Sequence, residues 1–185
     1  MAETPGGHYY PEVGDPVDVQ ADMQLAAEAA DDAVIAAQGR PWRSLQKTTS
    51  TSVPHNTWTD VTGWVGINSD PGDGSISYSP GALTVSQGGV YKIRAQITFV
   101  DGPNDVGLRA VRLIRSGAAI AVGSDIAEIG SLNTRSCEFL GYLPSGAVVT
   151  CQAYQGDGVG TSFGYQTAAG YNLWTAVLLV PDLGA

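Results

Sequence analysis

From Gly88 to Val100 the chain reads GGVYKIRAQITFV, apolar and polar residues taking turns, and the same alternation returns in run after run of the sequence that follows. A period of two marks a strand with one buried face, so a chain made of such runs is confined to antiparallel sheets that cover one another. Long strands are predicted at about 89–100, 107–116, 134–142, 147–155 and 172–180. Shorter ones are predicted at 57–65, 75–79 and 82–86, after a polar edge strand within 44–53. Clusters of Gly, Pro, Asn and Asp such as NSDPGDGS at 68–75 punctuate them at roughly ten-residue intervals, the rhythm of a sandwich or jelly roll.

The alternation also assigns faces. In 89–100, Val90, Ile93, Ala95, Ile97 and Phe99 are assigned to the core and Lys92, Arg94, Gln96 and Thr98 to the other side, with a register break near Tyr91. In 107–116 apolar residues fall on both sides, which predicts a strand buried twice, either in the sandwich centre or beneath a second copy of the chain.

The front of the chain differs. Residues 1–17, with Pro5, Pro11 and Pro16 among glycines, read as an extended arm. Asp18 is a suitable N-cap for an acidic helix within 18–40, ended by Gly39 and Pro41. Its seam of Val19, Met23, Ala26, Ala30 and Ala33 follows heptad spacing with small residues, which permits close helix approach but buries little apolar area. That seam is the expected helix contact, for oligomerisation or docking. Tyr9, Tyr10 and Pro11 are the residues expected to lie in a partner's groove. Residues 41–56 read as linker and first strand, with Trp42 as an anchor, and 57–185 as the β domain.

Charge separates the two parts. All eight acidic residues of 1–39 stand without a Lys or Arg, whereas 40–185 holds nine basic and ten acidic side chains. A formal net charge of −9 with no cationic cluster argues against a nucleic-acid partner. Only 15% of residues are charged, against about a quarter in an ordinary domain. Such sheets have uncharged faces to bury against other chains. No long apolar run predicts a membrane span, and the polar, acidic start predicts a chain made in the cytosol without a leader peptide.

Catalytic vocabulary is thin. His8 and His55 lack neighbours at ligand spacing, and no nucleophile elbow, phosphate loop or carboxylate pair stands out. Asp70, Asp73, Asp101, Asp105 and Asp157 fit turns better than a calcium loop. No metal or other cofactor, and no enzyme activity, is expected. Cys137 and Cys151 read as neighbours on strands joined by LPSG at 143–146; a strict hairpin would pair Cys137 with Gln152, which favours buried free thiols over a bridge. The aromatics Trp58, Trp64, Tyr154, Phe163, Tyr165, Tyr171 and Trp174 are divided between core packing and a recognition surface. Phe163, Tyr165 and Tyr171 are the expected glycan or receptor contacts on the 155–171 loop.

Four stretches carry a resemblance. Gly89 and Tyr91 opening a strand that runs to Phe99, LIRSG at 113–117, LPSGAVVTCQAY at 143–154 and LWTAVLLV at 173–180 are similar to the C1q and tumour-necrosis-factor-like jelly-roll superfamily over about 45–181. Ala147 replaces that family's Asp after the glycine, and the final strand lacks its Phe-x-Gly. The resemblance implies a mainly β, antiparallel jelly-roll sandwich behind one N-terminal helix, closing as a homotrimer. YPEVGDPVDVQADMQLAAEAADDAV at 10–34 resembles the attachment segments of tail, fibre and minor structural proteins of long-tailed bacteriophages. This second likeness implies a virion location, with other tail or head proteins as partners. The expected function is a non-enzymatic virion knob, fibre or decoration protein, or alternatively a carbohydrate- or receptor-binding module.

Overall fold

Each long alternating run has found a place in one of two facing sheets. The computed structural model describes residues 2–3, 9–10, 40–50, 52–69, 74–100, 107–127, 133–157, 164–165 and 171–182. The chain separates into two compact units, Met1–Arg40 and Pro41–Ala185. In the first, β1 (Ala2–Glu3) and β2 (Tyr9–Tyr10) pair antiparallel, Ala2 opposite Tyr10 and Glu3 opposite Tyr9. The rest of the arm expected over 1–17 lies outside the described residues. Pro11 and the seam Val19, Met23, Ala26, Ala30 and Ala33 lie outside the described residues.

The second unit contains β3 (Trp42–Gln46), β4 (Thr59–Asp60), β5 (Val65–Ser69), β6 (Ile76–Ser79), β7 (Ala82–Val85) and β8 (Gly89–Val100). It continues with β9 (Gly107–Arg115), β10 (Ala118–Ala127), β11 (Asn133–Leu143), β12 (Val148–Asp157), β13 (Gly164–Tyr165) and β14 (Leu173–Pro181). One sheet has the order β10-β9-β12-β7-β6, with β4 also on β12. The other runs β11-β8-β14-β3-β5, with β13 also on β8. Every strand pairing in them is antiparallel, and consecutive strands repeatedly cross from one sheet to the other, giving the jelly roll.

Between the sheets, Tyr91, Ile93, Ala95, Ile97 and Phe99 of β8 face Val111 and Leu113 of β9 and Val149, Cys151 and Ala153 of β12, all buried. Tyr91 belongs to this unbroken series, its hydroxyl donating to Gln87 O at 2.7 Å. The irregularity expected near Tyr91 occurs instead across from it, between Leu178 and Val180 of β14. Val90 consequently joins Lys92 on the outward face.

Four further expectations change. The predicted edge strand is β3, which lies inside its sheet between β14 and β5. Lys47 just beyond it is buried, donating to Thr49 Oγ1 and Thr62 O, and burial lowers its pKa. The run 57–65 forms β4 and then an irregular stretch that drives Trp64 into the core, where its Nε1 donates to Val61 O at 2.8 Å. Strand β10 was not predicted at all. It is joined to β9 by the two-residue turn Ser116-Gly117, both left-handed (φ 50° and 79°), the geometry that matches strand twist in a tight hairpin. Strand β11 pairs with β8 and β12 with β9, so the LPSG segment crosses between sheets and forms no hairpin. Where β10 passes β11, a Cβ on Gly123 would stand 1.8 Å from Ser136 O, and glycine alone admits that approach.

Candidate functional site

Register places the outward side chains of the second sheet in rows. One row is Leu140, Lys92, Val177 and Trp42; the next toward the Gly89 end is Tyr142, Val90 and Val180. On the other side come Glu138, Arg94, Thr175 and Ser44, then Ser136, Gln96, Leu173, Gln46 and Val65. Within these rows Lys92 and Glu138 pair at 3.5 Å and Arg94 donates to Gln96, beside the apolar Val90, Val177 and Val180.

Exposed apolar side chains occur at both lateral margins of this sheet and at Val180 on β14, and the first sheet exposes Val122 and Ile126 on its edge strand β10. On β11, Leu140 is 64% and Tyr142 52% exposed; on β5, at the opposite edge, Val65 is 53% and Ile67 42% exposed. Tyr142 is held by donating to Asp182 Oδ2 at 2.9 Å, a bond that raises its pKa. None of these four was singled out from sequence. The signal was present in FLGYL at 139–143, where apolar residues occupy both phases of the alternation, as they do in β9.

The residues assigned to a glycan or receptor surface do not come together. Tyr165 is 1% exposed and stacks edge-on against Phe99 at 6.1 Å, so it belongs to the core, and burial raises its pKa. This corrects its expected exposure. Tyr171, 37% exposed, stands at the entry to β14, and Phe163 lies outside the described residues with most of the 155–171 loop. Asp70, Asp73, Asp101 and Asp105 also lie outside them. Among the described residues no three His, Cys, Asp or Glu side chains gather as metal ligands. A shallow groove of about 440 Å3 beside the Ser116-Gly117 turn has Arg115 as the one charged residue lining it, with no histidine or carboxylate to activate a hydroxyl.

Cys137 and Cys151 are free thiols buried between opposite sheets. Burial, opposed by hydrogen bonds to the backbone of Ala95 and Leu113, pushes Cys137 up to about 12. Burial drives Cys151 up as well, followed by the charges of Cys137 and Asp60. A folded pKa above that of the unfolded thiol means that stability is intact below about pH 8.5 and is lost as pH climbs toward the folded value, because the unfolded chain then releases protons that the folded chain keeps. Urea unfolding at pH 7.5 and 9.5 is expected to differ by about 1 kcal/mol for each thiol beyond the loss in a Cys137→Ala, Cys151→Ala chain, which keeps the shallower slope. Equal slopes would contradict the buried-thiol assignment.

Fold and surfaces together define a two-sheet antiparallel jelly roll with exposed apolar residues on the edge strands of both sheets. No protein-family model and no curated protein matches the chain. Solved structures do. Murine APRIL is 15% identical over 76% of this chain and 99% of its own, with a TM-score of 0.57. Eiger TNF from S. frugiperda is 14% identical over 78% and 96%, with a TM-score of 0.59. The globular domain of zebrafish complement 1qA is 15% identical over 77% and 99%, with a TM-score of 0.52. The fold is therefore the C1q/TNF-like jelly roll that the four sequence stretches resemble.

Proposed function

We propose that the chain is a non-enzymatic structural protein of a bacteriophage virion, a homotrimeric knob or decoration unit tethered to tail or head by its N-terminal arm and acidic helix. The observation that supports self-assembly is the pair of exposed apolar patches on the edge strands β11 and β5 of the second sheet. A closed ring of odd order needs head-to-tail contacts between two different patches of each copy. The β11 margin of one subunit, Leu140 and Tyr142, supplies one patch, and the β5 margin of the next, Val65 and Ile67, supplies the other. Threefold closure follows the jelly-roll resemblance, and the virion location follows the resemblance of residues 10–34. Three tethers on one trimer engage together, so weak individual docking becomes firm attachment. The shortage of paired nucleophiles and bases supports a building role over catalysis.

Light scattering of the full chain at micromolar concentration tests the assembly. The expected mass is three times the 19.2 kDa chain, and a persistent single-chain mass would refute closure. Labelling of intact particles with antibody against residues 41–185 tests the location, and an unlabelled particle would remove the virion reading.

A further inference from the structure

Outward side chains of the first sheet converge where β4, β12 and β9 lie side by side. Register sets Asp60 beside Gln152, Gln152 beside Arg112, and Tyr154 beside Ala110. Arg112 Nε donates to Gln152 Oε1 and Gln152 Nε2 to Asp60 Oδ1, both at 2.8 Å. The Arg112 guanidinium lies 4.0 Å from the centre of the Trp58 ring, which is itself 5.2 Å from the Tyr154 ring at an interplanar angle of 42°. Tyr154 donates to Asn56 Oδ1 at 2.8 Å, and Asn56, in left-handed backbone with φ 53°, donates to His55 Nε2 at 2.7 Å. Trp58, Tyr154, Arg112 and Gln152 are half-buried, whereas Asn56 and Asp60 are exposed.

The core does not need these rings: Trp64 and Trp174 fill it. Each half-buried group is nevertheless pinned in one pose, so little conformational freedom remains to be lost on binding. One face of Trp58 is taken by the guanidinium and Tyr154 packs beside the ring, so a ligand would cover the part of the two half-buried rings that remains exposed. A ring face accepts the apolar C–H side of a sugar, while planar carboxylate and amide groups at its rim pair with neighbouring hydroxyls. Charge narrows the ligand further. Arg112 is balanced by Asp60 through the Gln152 bridge, and residues 40–185 as a whole are near neutral, nine basic against ten acidic side chains, so this face offers an anion no net attraction.

We propose that the outward face of β4, β9 and β12 binds a neutral saccharide, stacked on Trp58 and Tyr154, with Asp60 and Asn56 taking its hydroxyls. The site lies on the sheet opposite β11 and β5 and does not rest on threefold closure.

The test presents the full chain to immobilised neutral oligosaccharides of glucose, galactose, mannose, arabinose and N-acetylhexosamines, with sialylated and uronic-acid glycans alongside. Binding to at least one neutral member is expected, weakened at least about tenfold by Trp58→Ala and unaffected by Tyr171→Ala in the loop. Asp60→Asn, which keeps side-chain shape, is expected to weaken binding too and decides the matter should the Trp58 variant fail to fold. No neutral binding, binding only to acidic glycans, or binding that survives the variants would overturn the proposal. Light scattering on the same samples separates the two readings: a single chain that binds sugar refutes closure alone, and a trimer that binds none refutes the saccharide site alone.

Discussion

Trp174→Ala is expected to cost about 3–5 kcal/mol, a large share of the 5–15 kcal/mol that holds a typical domain folded. Trp174 sits on β14, between β8 and β3, and is fully buried. Its ring meets Trp64 edge-to-face at 5.4 Å and 62°, so truncation opens a cavity and strands the partner ring in one step. Trp174→Phe is expected to cost far less. The Trp174 Nε1 finds no acceptor among the described residues, so its loss removes an unpaired buried donor together with part of the ring. At Trp64 the ranking of causes reverses, because Trp64→Phe deletes the bond to Val61 O. Urea midpoints at constant m value read all three variants. A loss under about 1 kcal/mol for Trp174→Ala would contradict the central packing described for the two sheets.

What the sequence disclosed follows from which forces are local. The alternation in 89–100 and 172–180 was legible because those strands face the core on one side, and burial writes a period of two directly into the residues. β10 left no such mark. AAIAVGSDIA is rich in small and polar residues because Gly123 passes against the backbone at Ser136, a long-range constraint that favours small residues over strand formers. The LPSG crossing was illegible for a related reason. A short Pro-Gly connection is consistent with a hairpin or with a change of sheet, and the choice is made by β8 and β9 taking the partners. Tyr165 was misassigned because Gly-rich neighbours read as surface loop, whereas a two-residue pairing with Val100 and Phe99 draws its ring inward. The aromatics near the proposed saccharide site could be named from sequence but not sorted. Only the register that sets Tyr154 and Gln152 beside β9 tells a ring on the outer face from one in the core.

Leu140→Asp is expected to convert the assembly to single chains without unfolding them. In a lone subunit Leu140 is mostly exposed on the outer face of β11, where a carboxylate meets water and costs little. Within the proposed ring the same position presses against the β5 margin of the next copy, and a buried carboxylate without a partner costs about 3–5 kcal/mol. Lys92, its register neighbour, is already engaged by Glu138 and is a poor rescuer. Each contact would therefore weaken by roughly two to four powers of ten, and a ring repeats the loss at every interface. Leu140→Ile, which keeps the apolar volume, is expected to retain the assembled mass. Val148→Asp on β12 of the other sheet provides a matched charge away from the margins and is expected to retain it too. Light scattering at fixed concentration reads the mass, and the thermal midpoint of diluted samples shows that the variant subunit remains folded. If Leu140→Asp and Val148→Asp behave alike, the β11 margin is not where copies meet, and the ring must close through another face or not at all.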